Sequence, residues 1–180
     1  MVTLTDGRIT LRPPEPADAA EIANAVQTSL PELEPWMPWA SAAYDEQAAR
    51  DWMAFPGEHP FVIVDDHELV VGTCGLNGID EQNRRANLGY WLRSDHTGRG
   101  IATAATRLLA DYGITALGLQ RLEIVMSVHN APSRRVAERV GASYEGVLRS
   151  RLMLRGVAHD AHSYSIVAAD RAGTGAATGD

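Results

Sequence analysis

The residues best suited to bind an anion form one short segment, Asp95-His96-Thr97-Gly98-Arg99-Gly100-Ile101-Ala102. Its two glycines allow the backbone to turn tightly and to approach a ligand closely. The helix predicted to follow begins with free N–H groups and the positive end of its dipole, both of which attract phosphate. The segment therefore predicts a phosphate or pyrophosphate site, although a glycine turn that only begins a helix has the same form.

Two other nucleotide-binding motifs fit this segment poorly. A Walker A loop requires Lys-Ser or Lys-Thr after its last glycine, where this chain has Ile101 and Ala102. The dinucleotide fingerprint requires a third glycine or an alanine, where this chain has Thr103. Neither an ATPase-type loop nor a Rossmann site is predicted.

The cysteine and histidine content argues against a metal centre. Cys74 is the only cysteine and lies in the apolar run Leu69–Leu76, which predicts a buried thiol and excludes a disulfide within the chain. His129, His159 and His162 have no partners at metal-ligand spacing. We therefore expect neither a metal site nor a disulfide.

Hydrophobic periodicity predicts the elements that hold the glycine segment. The predicted strands are Ile9–Leu11, Phe61–Val64, Leu69–Leu76, Asn87–Leu92, Arg121–Val128, Tyr144–Leu154 and Ala161–Val167. The predicted helices are one that Asp18 and Glu21 cap and that ends before Pro31, then Asp45–Ala54, Gly100–Leu117 and Ala131–Val140. Between the first two helices, three prolines predict an irregular, apolar segment from Pro31 to Ala43. This order predicts an α/β (α+β) domain with a mixed central sheet of about seven strands and helices on both faces.

Composition is that of a globular domain. The 180 residues are 45% hydrophobic and 22% charged, and we expect one domain over residues 1–168 and a flexible tail over residues 169–180. A net charge of −7 has the wrong sign for holding a nucleic-acid backbone. No run has the length and apolarity of a membrane span or an export signal, so we expect a soluble, cytoplasmic protein.

Several motifs together resemble one family over about residues 9–167. They are Leu11-Arg12-Pro13, Gly89-Tyr90-Trp91-Leu92, the loop from Thr97 to Ala102, Asn130-Ala131-Pro132-Ser133, Gly141-Ala142-Ser143-Tyr144-Glu145-Gly146, Asp160 and Tyr164. The chain is similar to the GCN5-related N-acetyltransferases (GNAT), and in particular to the RimJ/RimL branch, which acetylates N-termini of ribosomal proteins. Thr97 stands where the loop of this family usually has glutamine or arginine.

This resemblance implies a GNAT fold with acetyl-CoA as co-substrate. The residues implied for coenzyme binding are Leu92, Ser94, Thr97, Gly98, Arg99, Gly100, Ile101, Ala102, Asn130 and Ser133. The backbone N–H of Leu92 is implied to stabilise the oxyanion, and Ser133 is implied to help the thiolate leave. Asn130 as a helix N-cap and Ser133 as an ordinary first-turn serine are the alternative interpretations.

A strong general base is missing from the positions that the resemblance would assign to it. Asn87, Val125 and Leu152 stand where related enzymes have acidic residues, and Glu123 could act only through water. An α-amino group has a pKa of about 7.7 to 8.0 and is roughly 10% neutral at pH 7, whereas a lysine amine is almost wholly protonated. The missing base therefore favours a protein or peptide N-terminus as acceptor.

The acceptor is expected beside the apolar segment, and the residues that could line its binding site are Trp36, Met37, Trp39 and Tyr90. The alternative interpretation of these side chains is ordinary packing against the sheet. The surplus of acidic residues suits a cationic amine. A small-molecule amine, such as an amino antibiotic or a polyamine, is the alternative acceptor, and a non-catalytic acyl-CoA sensor is the alternative function. Relatives are commonly dimeric, which makes a homodimer possible.

Overall fold

The computed structural model describes residues 2–172, and eight strands form one sheet in the order β1-β2-β3-β4-β5-β6-β8-β7. The strands are β1 Leu4–Thr5, β2 Thr10–Arg12, β3 His59–Val64, β4 Val70–Asp80, β5 Arg85–Leu92, β6 Arg121–Ser127, β7 Ser143–Leu154 and β8 Val157–Val167. The helices are α1 Ala19–Thr28, α2 Leu30–Leu33, α3 Glu46–Met53, α4 Ile101–Thr115, α5 Ala131–Arg139 and α6 Ala168–Ala172. Only β5 and β6 pair in parallel, and every other neighbouring pair in the described sheet is antiparallel.

The predicted fold class is confirmed, with helices on both faces of a mixed sheet. The eighth strand is β1, a two-residue strand that pairs with β2 and carries too few residues to show a period. The predicted tail begins in α6, and its remainder from residue 173 lies outside the described residues.

Two local predictions near the start of the chain are wrong. Asp18 occupies the N-cap position of α1, but it forms no capping box with Glu21, because its side chain pairs instead with Glu15 in the capping box of the 3₁₀ turn Pro16–Asp18. The segment from Pro31 does not begin irregularly, because Pro31 lies in the first turn of α2, where a missing N–H costs no helical hydrogen bond.

Two apolar cores lie on opposite faces of the sheet. On one face α4 and α5 cover residues such as Ile63 and Leu122, and on the other face α1 and α3 cover Val62 and Val64. Adjacent residues of β3 thus belong to different cores, as the alternation of side chains along a strand requires. Helix α4 lies close to the sheet because Gly113 faces Leu122, where a Cβ would stand 3.3 Å from both leucine methyl groups.

The parallel strands β5 and β6 stay together for only a short distance. Their register joins Arg85–Asn87 to Arg121–Glu123, and no further pairing of β5 with β6 occurs within residues 2–172. After the Asn87–Glu123 pair, β6 continues to pair with β8 on its other side, and β5 continues to pair with β4. The N–H of Arg93 donates to the carbonyl of Val71 on the β4 side (2.8 Å). Because successive residues of a strand present their backbone groups to opposite sides, the N–H of Leu92 faces the gap.

A bidentate ion pair ties β2 to the start of α1. The Arg12 guanidinium donates to both Asp18 oxygens (2.7 and 2.8 Å), and the N–H of Glu15 donates to the same carboxylate (2.6 Å). Burial alone would raise the pKa of the Asp18 carboxyl, but these hydrogen bonds outweigh burial and lower that pKa. The pair therefore stabilises the fold in its ionised form.

We predict that Asp18→Asn lowers the free energy of unfolding at pH 7 by about 2–3 kcal/mol. A lowered folded-state pKa contributes stability above the unfolded-state value of about 3.9, and this contribution is lost as the pH falls through the folded-state value. The deficit of the variant should therefore shrink below about pH 4. Urea unfolding from pH 7 to pH 3 measures it. Asp66→Asn, at an exposed turn carboxylate, is the control, and an equal loss in both variants would contradict the prediction.

Candidate functional site

The glycine loop enters α4 through two left-handed residues. Gly98 and Gly100 have φ of 76° and 79°, and a Cβ on either would meet no atom within 4 Å, so the space above the loop is open. Gly100 is the N-cap of α4 and provides no side chain to cap it. The first helical bond runs from the N–H of Ala104 to the carbonyl of Gly100 (3.0 Å), so the three preceding N–H groups are free to bind an anion.

A cavity of about 680 Å³, the loop cavity, lies in front of these N–H groups. Its walls include Leu92, Ser94, Thr97, Gly98, Gly100, Ile101, Ala102, Asn130, Ser133, Arg135 and Arg139. Arg135 and Arg139 lie on α5 and add positive charge to the helix dipole of α4. Since phosphates prefer arginines and helix N-termini, the loop cavity fits a pyrophosphate-bearing ligand.

The structure brings together most of the residues predicted for the coenzyme, and Arg99 is the exception. Its guanidinium donates to the carbonyl of Asp95 (2.9 Å), and it is not among the described residues that line the loop cavity. Ser94 lines the cavity with its polar groups engaged, because its N–H donates to Ser29 (3.0 Å) and its hydroxyl to Glu32 (2.8 Å). The N–H of Leu92 is therefore the backbone donor that this part of the cavity offers.

Ser133 and Tyr90 form a hydrogen-bonded pair at the inner end of the loop cavity. Their hydroxyl oxygens are 3.0 Å apart, and the Tyr90 hydroxyl also donates to the carbonyl of Ser133 (3.2 Å). Burial raises the pKa of Tyr90 to about 12, which exceeds the opposing effect of its bond to Ser133. The phenol is therefore protonated at neutral pH and can donate a proton. Asn130 holds Ser133 in place, because its Oδ1 accepts the N–H of Ser133 (3.1 Å).

A second cavity of about 320 Å³, the strand cavity, passes through the gap between β5 and β6. It shares six lining residues with the loop cavity, which are Trp36, Met37, Tyr90, Trp91, Asn130 and Ser133. Trp36 and Met37 come from one face of the sheet and Ser133 from the other. Trp39 also lines the strand cavity, so all four residues predicted for the acceptor border this space.

Three polar features lie together in the strand cavity, and no pattern in the sequence predicted that they would share one site. Nδ2 of Asn87 donates to Oδ1 of Asn77 (2.9 Å), and the Ser127 hydroxyl contacts Nδ1 of His159 (3.3 Å). Glu58 lines the cavity from the segment before β3, and burial raises the pKa of its carboxyl. That segment has no hydrophobic period, and Ser127 and His159 meet only through the β6–β8 pairing, so no local pattern indicated them.

Glu123, considered as a base acting through water, lies outside these cavities. It stands opposite Asn87 at the closed end of the gap and pairs with Arg121 (2.9 Å) and Arg85 (3.5 Å). Among the described residues that line the loop and strand cavities, Glu123 is absent. Its carboxylate therefore neutralises two arginines where β5 and β6 join.

Cys74 is buried on β4, and burial raises the pKa of its thiol, so it stays protonated and unreactive.

Within residues 2–172, no group of three or more His, Cys, Asp and Glu side chains could hold a metal ion. In the same part of the chain, no helix combines the length and hydropathy needed to span a membrane.

Comparison with known proteins gives concordant matches. The family model of the acetyltransferase (GNAT) domain matches residues 8–143. The uncharacterized N-acetyltransferase p20 of Bacillus licheniformis is 33% identical over 181 residues, 96% of this chain and 100% of that protein. The putative ribosomal N-acetyltransferase YdaF of Bacillus subtilis (strain 168) is 33% identical over 168 residues, 88% of this chain and 91% of that protein. The solved structure of Mycobacterium smegmatis RimJ in complex with CoA-disulfide has a TM-score of 0.84 at 30% identity, covering 94% of this chain and 87% of that chain.

We predict that Gly100→Ala weakens binding of acetyl-CoA, the ligand implied by the resemblance, by at least about tenfold. A methyl group at a left-handed residue strains the backbone that aims the free N–H groups and enters the open space in front of them. Calorimetric titration measures the affinity. Gly118→Ala is a matched control, because Gly118 has φ of 68° with equally open space and lines neither cavity. Equal affinities of the two variants for acetyl-CoA would show that the glycine loop does not take part in coenzyme binding.

Proposed function

The chain belongs to the GNAT family of N-acetyltransferases, and we propose that it transfers acetyl from acetyl-CoA to the α-amino group of a protein or peptide N-terminus. The observation that carries the proposal is the meeting of the loop and strand cavities at Tyr90 and Ser133. A thioester held in the first cavity and an amine held in the second would meet there. Relatives such as the putative ribosomal N-acetyltransferase of Bacillus subtilis support this class of acceptor.

The residues of the loop cavity fit acetyl-CoA, which supplies the activated acetyl group when it is bound. The N–H groups at the start of α4, with Arg135 and Arg139, would hold the pyrophosphate. The N–H of Leu92 faces the gap and would donate to the thioester oxygen, where negative charge develops during attack. A backbone donor of this kind acts without reorganisation, because the pairing of β5 with β4 holds it in place.

The Ser133–Tyr90 pair would protonate the leaving group. As the bond from nitrogen to the acetyl carbon forms and the carbon–sulfur bond breaks, the Ser133 hydroxyl would give its proton to the thiolate. The protonated Tyr90 phenol, 3.0 Å away, would return a proton to Ser133 and regain one from solvent. The proton lost by the nitrogen would leave to solvent, so the sulfur gains one proton, the amine loses one, and the Ser133–Tyr90 pair ends as it began.

Among the described residues that line both the loop and the strand cavity, none is a strong base, which favours an α-amine. Tyr90, Ser133 and Asn130, which line both cavities, are all uncharged at pH 7. About a tenth of an α-amino group is already neutral at that pH and can attack directly, whereas a lysine amine is neutral in only about one molecule in 2,500. The similarity to the putative ribosomal N-acetyltransferase of Bacillus subtilis also supports a cytoplasmic location for this activity.

We predict that Ser133→Ala lowers kcat by about 10- to 100-fold while the Kd for acetyl-CoA changes by less than about threefold. The variant loses a proton donor that acts in the transition state and keeps the loop that binds the ground state. Thiol release measures kcat, and titration measures the Kd. Ser143→Ala, an exposed serine at the start of β7, is the control. An unchanged kcat for Ser133→Ala would support the alternative interpretation of Ser133 as an ordinary serine in the first turn of α5.

The acceptor proposal is tested with two peptides of one sequence, one with a free α-amine and a blocked lysine, the other with a blocked α-amine and a free lysine. We predict that the first is acetylated at least about tenfold faster at pH 7, because far more of its amine is neutral. Mass spectrometry identifies the modified nitrogen. The enzyme contains no lysine, so any acetylated lysine in the assay comes from the peptide. Faster acetylation of the lysine would overturn the proposal.

A further inference from the structure

We propose that a third cavity, which opens beside the strand cavity, binds an ammonium or guanidinium group carried by the acceptor a few bonds from its reacting amine. The inference rests on the proposed function and deepens it, because it names the chemistry that selects among amines. This third space, the side cavity, has a volume of about 530 Å³.

The side cavity continues the path of the acceptor. It shares five lining residues with the strand cavity, which are Trp39, Trp52, Glu58, Thr73 and Trp91. An acceptor whose amine lies near Ser133 can therefore extend through the strand cavity and past Glu58. The far wall comes from α3 and the residues around it, including Tyr44 and Phe55. The volume is large enough for a side chain or for the second half of a short diamine.

Aromatic rings form much of the wall of the side cavity. The Trp39 ring lies between two others, with ring centroids 5.9 Å from Trp91 and 5.4 Å from Tyr44. Trp52 and Phe55 add further aromatic surface. Faces of tryptophan and tyrosine attract organic cations, and several rings around one space are the arrangement that recognises ammonium groups. An exposed Trp39 and Phe55 would otherwise present apolar surface to water without a function.

Glu58 supplies a carboxylate at the entrance between the strand and side cavities. No described residue forms a hydrogen bond or ion pair with its side chain, although it is partly buried. Burial without a counterion raises the pKa of this carboxyl, and a cation placed beside it would reverse that cost. Asp51, the other carboxylate of the side cavity, accepts a hydrogen bond from the neutral amide of Gln47 (2.8 Å), so it keeps its negative charge and adds to that of Glu58.

The described charged residues that line the three cavities differ in net sign. Arg135 and Arg139 line the loop cavity, whereas no arginine lines the strand or side cavity in the described part of the chain. The sequence contains no lysine that could serve instead. The loop cavity therefore has two arginines against one carboxylate, Glu32, whereas Glu58 and Asp51 are the charged residues among the described ones that line the strand and side cavities. This division favours an acceptor that carries a second positive charge.

Two sources could supply that group, an arginine or lysine next to a protein N-terminus, or the second amine of a diamine. The test measures kcat/KM for two matched pairs of acceptors. One pair is Ser-Arg and Ser-citrulline peptides, which differ in charge and hardly in shape. The other is diaminobutane and butylamine. We expect the charged member to be preferred at least about tenfold in the pair that contains the true acceptor class. The pair that shows the preference identifies the source.

The variant Glu58→Gln assigns the preference to this site. We expect the ratio of charged to neutral kcat/KM to fall below about threefold in Glu58→Gln and, through loss of a ring face, to fall several-fold in Trp39→Leu. Glu81→Gln, which removes the same charge in the turn after β4 and lines none of the three cavities, should keep the ratio of the parent. Equal rates within both pairs, or an unchanged ratio in Glu58→Gln, would overturn the proposal.

A binding measurement separates failure of this inference from failure of the proposed function. The N-acetylated Ser-Arg and Ser-citrulline peptides cannot react, and their binding is followed by the fluorescence of the tryptophans around the site. Tighter binding of the arginine peptide that is lost in Glu58→Gln supports the side cavity even if no transfer is detected. Normal transfer with equal binding of both peptides leaves the proposed function standing and rules out the cation site.

Discussion

The separation of β5 from β6 after the Asn87–Glu123 pair is the constraint on which the rest of the site depends. A continuous sheet would satisfy its backbone groups internally and leave no passage between its faces. Here the N–H of Leu92 is left facing a gap, and the strand cavity passes through that gap from α5 to the tryptophans on the opposite face. The Arg85–Glu123–Arg121 cluster holds the strands together where the gap begins.

Each side of the gap has its own chemistry. The side of α4 and α5 has free N–H groups and arginines, which suit phosphate, and the side of α1 and α3 has aromatic rings and carboxylates, which suit a cation. Tyr90 and Ser133, between them, are neutral and hydrogen-bonded to each other. Two substrates of opposite charge can thus approach one another from separate cavities, which accords with direct transfer in a ternary complex.

Much of this arrangement was predictable from local pattern. Two glycines indicate the loop before α4, and the apolar residues of α4 and β6 repeat over enough positions to indicate a helix and a strand. The Asp45 side chain marks the start of α3, because it caps that helix. Asp18 shows the limit of such patterns. Its spacing to Glu21 has the form of a capping box, but the carboxylate is bonded instead by Arg12 from β2, a tertiary contact with no local signal.

The sequence by itself determined the fold class, the family and the glycine loop that is suited to an anion, because these depend on helix and strand periods and on the backbone conformations that glycine permits. Only the tertiary structure decided which side chains share a cavity with Ser133. Tyr90 reaches it across 43 residues of sequence, and His159 reaches Ser127 across 32. It also placed Glu123 outside the cavities and Glu58 within them. Contacts of this kind depend on which strands pair and where two strands separate, and the hydrophobic periodicity of the sequence predicts neither.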